Sequence, residues 1–253
     1  MASTLTHRPT TTMAQSTIRP ESESKAPASE ASARGAAIYS QSWLLVIYDW
    51  WVLGIVSTYA WACSVPDYTL PWFRSNVRKG QHLDIGVGTG YYLAKSDLSG
   101  VQVTLADLNQ DALDATKNRL VAAGKVKAEE TTCILHDITR PLPASCPKFN
   151  SMSLYYLLHC MPGPVPAKTA IFSHLKHNLT ADGVITGASI LGKDVHHNLF
   201  GRVIMYFGNR GGMFDNRADN SADFDEALRE HFHEVDTQVR GAIFLWKASK
   251  PKV

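Results

Sequence analysis

The stretch "HLDIGVGTGYYL", residues 82–93, decides how this chain folds and where it binds a ligand. It begins as a short apolar strand that carries one acid, Asp84. Three glycines follow at every second position, Gly86, Gly88 and Gly90, and "YYLA" then begins a helix. Glycine lets a backbone turn sharply and approach a ligand without a Cβ in the way. In an open parallel sheet such a turn lies beyond the carboxyl end of a strand, where ligands bind.

The spacing of this turn favours a ligand without phosphate. Dinucleotide sites use G-x-G-x-x-G and rest a pyrophosphate on the following helix. Here the third glycine comes one residue early, and Asp84 lies at the start of the turn. A carboxylate repels a pyrophosphate but attracts an ammonium or sulfonium group. The sequence therefore predicts a site for a nucleoside that carries a cationic amino acid.

Composition limits the classes of function that remain. The chain has 253 residues, of which 45% are hydrophobic, and 25 Lys and Arg nearly balance 23 Asp and Glu for a net charge of +2. This balance provides no long-range field for nucleic acid, so we expect no nucleic-acid partner. Without paired spacing or a secretory leader, the four cysteines predict reduced thiols in a cytoplasmic protein; they are Cys63, Cys133, Cys146 and Cys160.

The chain divides into a leader and one folded domain. Residues 1–36 are rich in Ser, Thr, Ala and Pro, so we expect a disordered leader, with an organelle transit peptide as the alternative. Residues 37–253 are expected to form a single domain, with a lid segment over 37–79 and a core over 80–253. The apolar run 42–63 is broken by Asp49 and crowded with Trp and Tyr. It predicts a partly buried segment, with an interfacial helix as the alternative, and no membrane span.

Strand and helix patterns alternate from residue 80 onward. Five apolar strand patterns are separated by helical ones, which predicts a mainly parallel sheet with helices on both faces. At the end, "VDTQVRGAIFLWKAS" has two strands with a tight turn, which must run antiparallel. The expected fold is an α/β, Rossmann-like, seven-stranded sheet with a terminal antiparallel hairpin and aromatic lid helices. The patterns also predict a helix over 91–98, a helix over 167–179 closed by "TADG", and a helix from 221 capped by Ser221.

The glycine turn, followed by an acid that closes the second strand in "LADLN", resembles the class I S-adenosylmethionine-dependent methyltransferases. The resemblance covers residue 80 to the C-terminus and implies S-adenosylmethionine as the cofactor. By resemblance, Asp84 and the three glycines would hold its methionyl part, and Asp107 would accept both ribose hydroxyls. The resemblance also implies cofactor contacts from Leu108, Asp137, Ile138 and Leu154. From the lid, we choose Tyr48 as a further contact with the cofactor. The alternative for Asp137 is a turn or helix-cap aspartate before the proline-rich loop, and the alternative for Asp107 is a strand-end Asx turn.

The acceptor side is expected to be aromatic. The fourth strand ends in "LYYLLH". It lacks the Asn-Pro-Pro-Tyr or Asp-Pro-Pro-Tyr motif that some DNA and amine methyltransferases of the resembled family carry there, which counts against nucleobase N-methylation. The predicted catalytic residues are His159 and His196, and the predicted substrate contacts are Trp51, Tyr156 and His197. The glycine- and asparagine-rich stretch 208–221 is expected to be a mobile loop over the acceptor. Carboxylates near the acceptor are too sparse for a metal, so none is predicted.

These observations predict a methyltransferase that acts on oxygen or nitrogen of a small, apolar or aromatic, secondary-metabolite-like acceptor, as a monomer or homodimer. Methyl transfer needs positioning more than bond activation by the protein. One alternative is a cyclase or pericyclase that uses the same cofactor without net methyl transfer. A non-enzymatic binding subunit is a further alternative, although it predicts degraded glycines and a lost ribose acid.

Overall fold

The computed structural model describes residues 47–252, so the predicted leader 1–36 and the first part of the lid segment lie outside the described residues. The lid segment contains a π-helix, a π-helical turn and the first α-helix: Asp49–Ala60, Val65–Thr69 and α1 (Leu70–Asn76). The core then follows as β1 (Gly80–Ile85), α2 (Tyr91–Ala94), β2 (Val101–Asp107), α3 (Gln110–Ala122), β3 (Thr132–Leu135), β4 (Phe149–Tyr155), α4 (Val165–Thr169), α5 (Ile171–Leu175), β5 (Leu179–Ile190), α6 (Leu199–Arg210), α7 (Ser221–His231), β6 (Phe232–Arg240) and β7 (Ile243–Pro251). Short 3-10 turns lie at Ala128–Glu130, Leu158–Cys160 and Lys176–Asn178.

The seven strands form one sheet in the order β3-β2-β1-β4-β5-β7-β6. The first five strands pair in parallel, while β7 pairs antiparallel with both β5 and β6. This confirms the predicted seven-stranded sheet with its antiparallel hairpin. The chain order reverses between β1 and β4, which makes the carboxyl ends of these two strands the expected ligand site.

The hydrophobic core lies on both faces of the sheet, as parallel strands require. Leu83 and Leu105, on neighbouring strands β1 and β2, are fully buried in different clusters. In the cluster that contains Leu83, Trp246 is fully buried and its ring meets Phe172 edge to face at 5.3 Å. The core therefore holds the strand ends at fixed positions.

The lid is fastened to the terminal hairpin. Trp61, directly after the π-helix, is 2% exposed, and its carbonyl oxygen accepts a hydrogen bond from the Ala242 amide at 2.8 Å. Gly241 has a φ of +56°, and a Cβ there would lie 1.9 Å from the same carbonyl oxygen. A glycine is thus needed where the hairpin turn meets the lid.

Several element boundaries differ from the sequence prediction. Helix α2 ends at Ala94 rather than near residue 98, and the expected helix over 167–179 is split into α4, α5 and a 3-10 turn. Strand β5 begins at Leu179 and includes "TADG", which was expected to close that helix. The cap of α7 is Asn220, not Ser221, because the Asn220 side chain accepts from the Asp223 amide at 2.9 Å. Over residues 47–252, none of the helices is both long enough and apolar enough to cross a membrane.

Candidate active site

The glycine turn after β1 has the shape that the sequence predicts. Gly86, Gly88 and Gly90 have φ values of +69°, +52° and +68°. A Cβ at Gly86 would lie 2.9 Å from Leu157, and one at Gly90 would lie 2.7 Å from Thr116. A Cβ at Gly88 would meet no atom within 4 Å. The outer two glycines therefore allow close packing, while the middle one faces open space where a ligand can approach the backbone.

Asp84 lies at the base of this turn and is almost fully buried. It is 7% exposed, and its Oδ1 accepts a hydrogen bond from the Ser153 hydroxyl at 2.5 Å. Burial, with a smaller contribution from the nearby Asp107 carboxylate, raises the pKa of Asp84 to about 7, against the effect of the Ser153 hydrogen bond. A cation beside this carboxylate would restore its charge.

Asp107 ends β2 on the other side of the turn. Its Oδ1 accepts a hydrogen bond from the Asn109 amide at 2.9 Å, and the nearby amides of Val87, Leu108 and Gly88 also act to lower its pKa. Burial nevertheless raises its pKa. Among the ion pairs within residues 47–252, none involves Asp84 or Asp107. Two desolvated acids without a basic partner fit the cationic, phosphate-free nucleoside S-adenosylmethionine.

The other predicted cofactor residues differ in their exposure. Leu108, next to Asp107, is 70% exposed and open to contact with a ring. Asp137 forms an Asx turn, in which one oxygen accepts from the amide and hydroxyl of Thr139 at 3.0 and 2.7 Å, and these bonds lower its pKa. Ile138 and Leu154 are buried in the core, so the structure does not bring the side chain of Leu154 to the surface of the site. Their contacts with the cofactor stay predictions.

A buried polar cluster joins the lid to the glycine turn. The Thr89 hydroxyl donates to Asp49 Oδ1 at 2.6 Å, and Arg119 Nη1 donates to Asp49 Oδ2 at 2.7 Å and to the Thr89 carbonyl at 2.9 Å. We call these three residues the lid clasp. Sequence reasoning missed it, although an acid inside an apolar, aromatic segment was the available signal. The predicted Tyr48 precedes Asp49, and desolvation of its hydroxyl raises its pKa to about 12.

Five rings from the lid, the segment after β4 and the segments on either side of α6 form what we call the aromatic cluster. Trp61 meets His197 at 5.9 Å and Phe214 at 6.5 Å between ring centroids. Phe214 in turn meets His159 at 5.0 Å, and His159 meets Tyr156 at 6.0 Å. The structure therefore brings together three predicted residues, His159, Tyr156 and His197. Trp61 and Phe214, which join them, were not predicted.

The two histidines of the aromatic cluster have buried ring nitrogens without partners. These are Nδ1 of His159 and both ring nitrogens of His197, judged against the described residues. His159 is 3% exposed, and burial lowers its pKa to about 3. Buried polar atoms are normally hydrogen-bonded. Aromatic rings beside such atoms suit a ligand that offers hydroxyl or amino groups.

Two predicted acceptor-side residues lie apart from this cluster. His196 is exposed, and Trp51 is 45% exposed and packs against Phe200 at 6.5 Å. No cluster of three or more His, Cys, Asp or Glu suitable for a metal ion occurs in the described range 47–252.

A sheet of this order, a glycine turn with an open middle position, and two unpaired acids define a class I S-adenosylmethionine-dependent methyltransferase. Residues 83–185 match the family described as a methyltransferase domain. The chain is 46% identical over 222 residues to the "Physcion biosynthesis cluster O-methyltransferase" of Aspergillus chevalieri, covering 87% of this chain and 96% of that protein. It is 47% identical over 226 residues to the "N-methyltransferase vrtF" of Penicillium aethiopicum, covering 88% and 90%.

A solved structure shows the same fold. The N-methyltransferase NodS from Bradyrhizobium japonicum, in complex with S-adenosyl-L-homocysteine, has a TM-score of 0.58 at 11% identity and covers 88% of this chain and 100% of its own. From the identities above, the chain belongs to the methyltransferase family. It is an enzyme that uses S-adenosylmethionine, and the cyclase alternative is not favoured.

Proposed function

We propose that this enzyme methylates a hydroxyl group on a flat, aromatic secondary metabolite. The observation that carries the proposal is the aromatic cluster, in which His159 Nδ1 and the ring nitrogens of His197 are buried without partners. A phenolic hydroxyl would supply the missing donor, and the edges and faces of Trp61 and Phe214 would contact its ring. The O-methyltransferase relative supports this choice, while the N-methyltransferase relative keeps an aromatic amine as the competing acceptor.

His159 would orient the acceptor through a hydrogen bond. Burial lowers the pKa of His159 to about 3, so the imidazole is neutral at physiological pH. Its free Nδ1 can then accept a hydrogen bond from the hydroxyl group of the acceptor. S-Adenosylmethionine, when bound, supplies a methyl carbon that is already activated for attack. The protein therefore contributes mainly by holding the oxygen in line and by excluding water.

The cofactor side of the proposal rests on the two acids. Asp84 would receive the ammonium of the methionyl part, and Asp107 would accept hydrogen bonds from the ribose hydroxyls. Gly86, Gly88 and Gly90 give the backbone room for the cofactor, with Gly88 facing the open side. The further proposed contacts with the cofactor are Tyr48, Leu108, Asp137, Ile138 and Leu154. On the acceptor side, Trp51 is a proposed substrate contact and His196 is a second candidate catalytic residue.

A comparison of matched acceptors tests the nature of the nucleophile. Hydroxynaphthalenes and the corresponding aminonaphthalenes would be incubated with the enzyme and S-adenosylmethionine, and the methylated product and S-adenosylhomocysteine would be measured by mass spectrometry. We expect methylation of the hydroxyl compounds. Preference for the amines would overturn the choice of oxygen, and turnover without S-adenosylhomocysteine would instead support a cyclase.

Variants then test the aromatic cluster. His159→Ala should lower kcat at least tenfold while the affinity for S-adenosylmethionine is kept, an effect on the order expected for a lost positioning contact. His233→Ala, at an exposed position of β6, is the matched control and should behave as the wild type. His196→Ala should have the smaller effect, because that side chain is exposed. Unchanged turnover in His159→Ala would remove its assigned role.

We further propose that the enzyme acts in the cytoplasm, as a monomer or homodimer, without a nucleic-acid partner or a metal. All four cysteines are free, as reduced thiols in that compartment would be. Size-exclusion chromatography with light scattering would determine the oligomeric state. Activity retained after dialysis against a chelator would support metal independence.

A further inference from the structure

A line of polar side chains is buried between β1 and β4, behind the glycine turn. The two strands run parallel, with His82 paired to Ser151 and Asp84 paired to Ser153. Residues two apart on a strand point to the same face, so these four side chains share one face of the sheet. His82, Ser151 and Ser153 are fully buried, and Asp84 is 7% exposed. Four polar groups in this environment need mutual hydrogen bonds.

The distances define a continuous chain of such bonds. Ser151 Oγ lies 2.7 Å from His82 Nδ1, and Ser153 Oγ lies 3.1 Å from His82 Nε2. Ser153 Oγ then donates to Asp84 Oδ1 at 2.5 Å. At the other end, the Arg78 amide donates to Ser151 Oγ at 3.1 Å. We call this the polar chain.

The proton positions follow from counting donors. The Ser153 hydroxyl has one proton and gives it to Asp84, so the contact between Ser153 and His82 requires an N–H at Nε2 of the histidine. The neutral imidazole then has a bare Nδ1, which accepts the proton of Ser151. Every donor and acceptor of the polar chain is satisfied in this arrangement.

The opposite arrangement is less satisfactory. If Asp84 were protonated and donated to Ser153, every proton in the polar chain would reverse. Ser151 would then receive two donors, the Arg78 amide and Nδ1–H of His82. Its own hydroxyl proton would have no acceptor among the described residues. The fixed Arg78 amide therefore sets the direction of the polar chain toward an ionised Asp84.

We propose that His82 is a positioning residue, which fixes the Ser153 hydroxyl so that its proton points at Asp84 and keeps that side chain a carboxylate for the cationic methionyl part of S-adenosylmethionine. The proposal rests on the proposed role of Asp84 in binding the cofactor. His82 would not contact the cofactor itself and would act on it only through Ser153 and Asp84.

The surroundings of Asp84 explain why such support is needed. Burial and the Asp107 carboxylate raise the pKa of Asp84 to about 7. The other titratable neighbours on the packed strands are His82 and Tyr155, and both stay neutral near pH 7, since burial lowers the pKa of the histidine to about 3 and raises that of the tyrosine. On the lid side, Asp49 and Arg119 form an ion pair. The Ser153 hydrogen bond is therefore the side-chain contact that favours the charged form of Asp84.

The pH dependence of cofactor binding tests the proposal. The dissociation constant of S-adenosylmethionine would be measured by calorimetry from about pH 5.5 to about pH 9 for the wild type and for His82→Leu. His82→Leu removes the N–H that fixes the Ser153 hydroxyl, so the hydrogen bond from Ser153 to Asp84 is less well held. A weaker hydrogen bond to the carboxylate raises the pKa of Asp84, so the variant needs a higher pH to ionise it. We expect the midpoint of the binding curve to move up by about one pH unit, with affinity reduced up to about tenfold near pH 7 and little changed near pH 9.

Two further variants separate positioning from packing. His82→Gln keeps an N–H donor for Ser153 and should restore most of the wild-type curve. Met152→Leu changes a fully buried neighbour on the opposite face of β4 and should leave the midpoint unmoved. Equal weakening of binding by His82→Leu at every pH, or an unmoved midpoint, would overturn the role of His82.

A second measurement covers the case in which His82→Leu fails to fold. Spectra of 15N-histidine-labelled wild-type enzyme should show His82 as the neutral Nε2–H tautomer down to about pH 5. An Nδ1–H tautomer, or titration near the ordinary histidine pKa, would refute the polar chain. Normal cofactor binding by Asp84→Asn, with a flat wild-type pH profile, would instead remove the proposed role of Asp84 itself and with it that of His82.

Discussion

Removal of Asp49 tests whether the lid clasp holds the N-terminal lid to the glycine turn. The Asp49 side chain is 7% exposed, accepts from the Thr89 hydroxyl at 2.6 Å and pairs with Arg119 at 2.7 Å. A hydrogen bond to a buried charged group contributes about 1.5–3 kcal/mol. The Arg119 side chain is 22% exposed, so part of its attraction is screened and adds at most about 1 kcal/mol. Asp49→Ala should therefore lower the free energy of unfolding by about 2–4 kcal/mol.

The assay is urea unfolding of single and double variants. Arg119→Ala alone leaves the buried Asp49 carboxylate with one hydrogen bond, so it should also be destabilising. In the double variant the second change should cost less than it does alone, with a coupling energy of about 1–2 kcal/mol. Asp67→Ala, an exposed acid in the second lid helix, is the control and should change stability by less than about 0.5 kcal/mol.

The cofactor affinity provides a second measurement on the same variants. Thr89 lies between Gly88 and Gly90, so release of its hydroxyl should loosen the turn and weaken S-adenosylmethionine binding in Asp49→Ala more than in Asp67→Ala. Additive effects of Asp49→Ala and Arg119→Ala within about 0.5 kcal/mol would refute the lid clasp as a coupled unit. So would an Asp49→Ala protein that unfolds at the same urea concentration as the wild type.

Three further predictions concern the acids and histidines. Asp107→Ala should weaken S-adenosylmethionine binding by about 2–4 kcal/mol, because two hydrogen bonds to the ribose are lost. The control Asp111→Ala, at an exposed position, should not weaken it. Normal binding by Asp107→Ala would show that Asp107 does not bind the ribose. His159 has a pKa of about 3 when folded and about 6.5 when unfolded, so its protonation favours unfolding as the pH falls below 6.5. Between pH 7 and pH 5, His159→Phe should lose about 2 kcal/mol less stability than the wild type, and equal losses in chemical denaturation would contradict this. Lys168→Met should lower the free energy of unfolding by about 3–5 kcal/mol, because it leaves the buried Asp219 unpaired. The double variant Lys168→Met/Asp219→Leu should recover most of this stability. No recovery would exclude the unpaired charge as the cause.

The sheet and the glycine turn were predictable because their signals are local. Strand patterns, three glycines at every second position and an acid at the end of β2 lie within short windows of sequence. The hairpin followed from a connection too short for a crossover. The element boundaries were less predictable, since "TADG" satisfies the rules for a helix end but lies within β5, at the register shift between the Phe149–Leu179 and Ser151–Val184 pairs.

The contacts that complete the site were not predictable, because their partners are distant in the sequence. Phe214 lies in a glycine- and asparagine-rich stretch that was expected to be mobile. In the structure the stretch is anchored: Asn216 is fully buried and donates to the Ile190 carbonyl at 2.9 Å, and the Asp215 amide donates to the His159 carbonyl at 2.9 Å. Asn and Asp suit both mobile loops and anchored ones, and composition alone does not distinguish them.

His82 illustrates the same limit within a correctly predicted strand. Its neighbours in the sequence indicate a buried position. The serines that contact its ring nitrogens, Ser151 and Ser153, lie in β4, about seventy residues later. The sequence predicted Asp84 as an acid of the cofactor site. It did not show the polar chain that we propose keeps this buried side chain in its charged form.

The junction between Trp61 and the hairpin turn bears on how related enzymes diversify. Trp61 faces both Phe214 and His197, and its carbonyl is held by Ala242. We expect a substitution or insertion in the turn at Gly241 and Ala242 to move Trp61, and with it the proposed acceptor site, while Asp84 and Asp107 stay in place. If the aromatic cluster binds the acceptor as proposed, selection on the last two strands can change which metabolite is accepted without altering the proposed cofactor site.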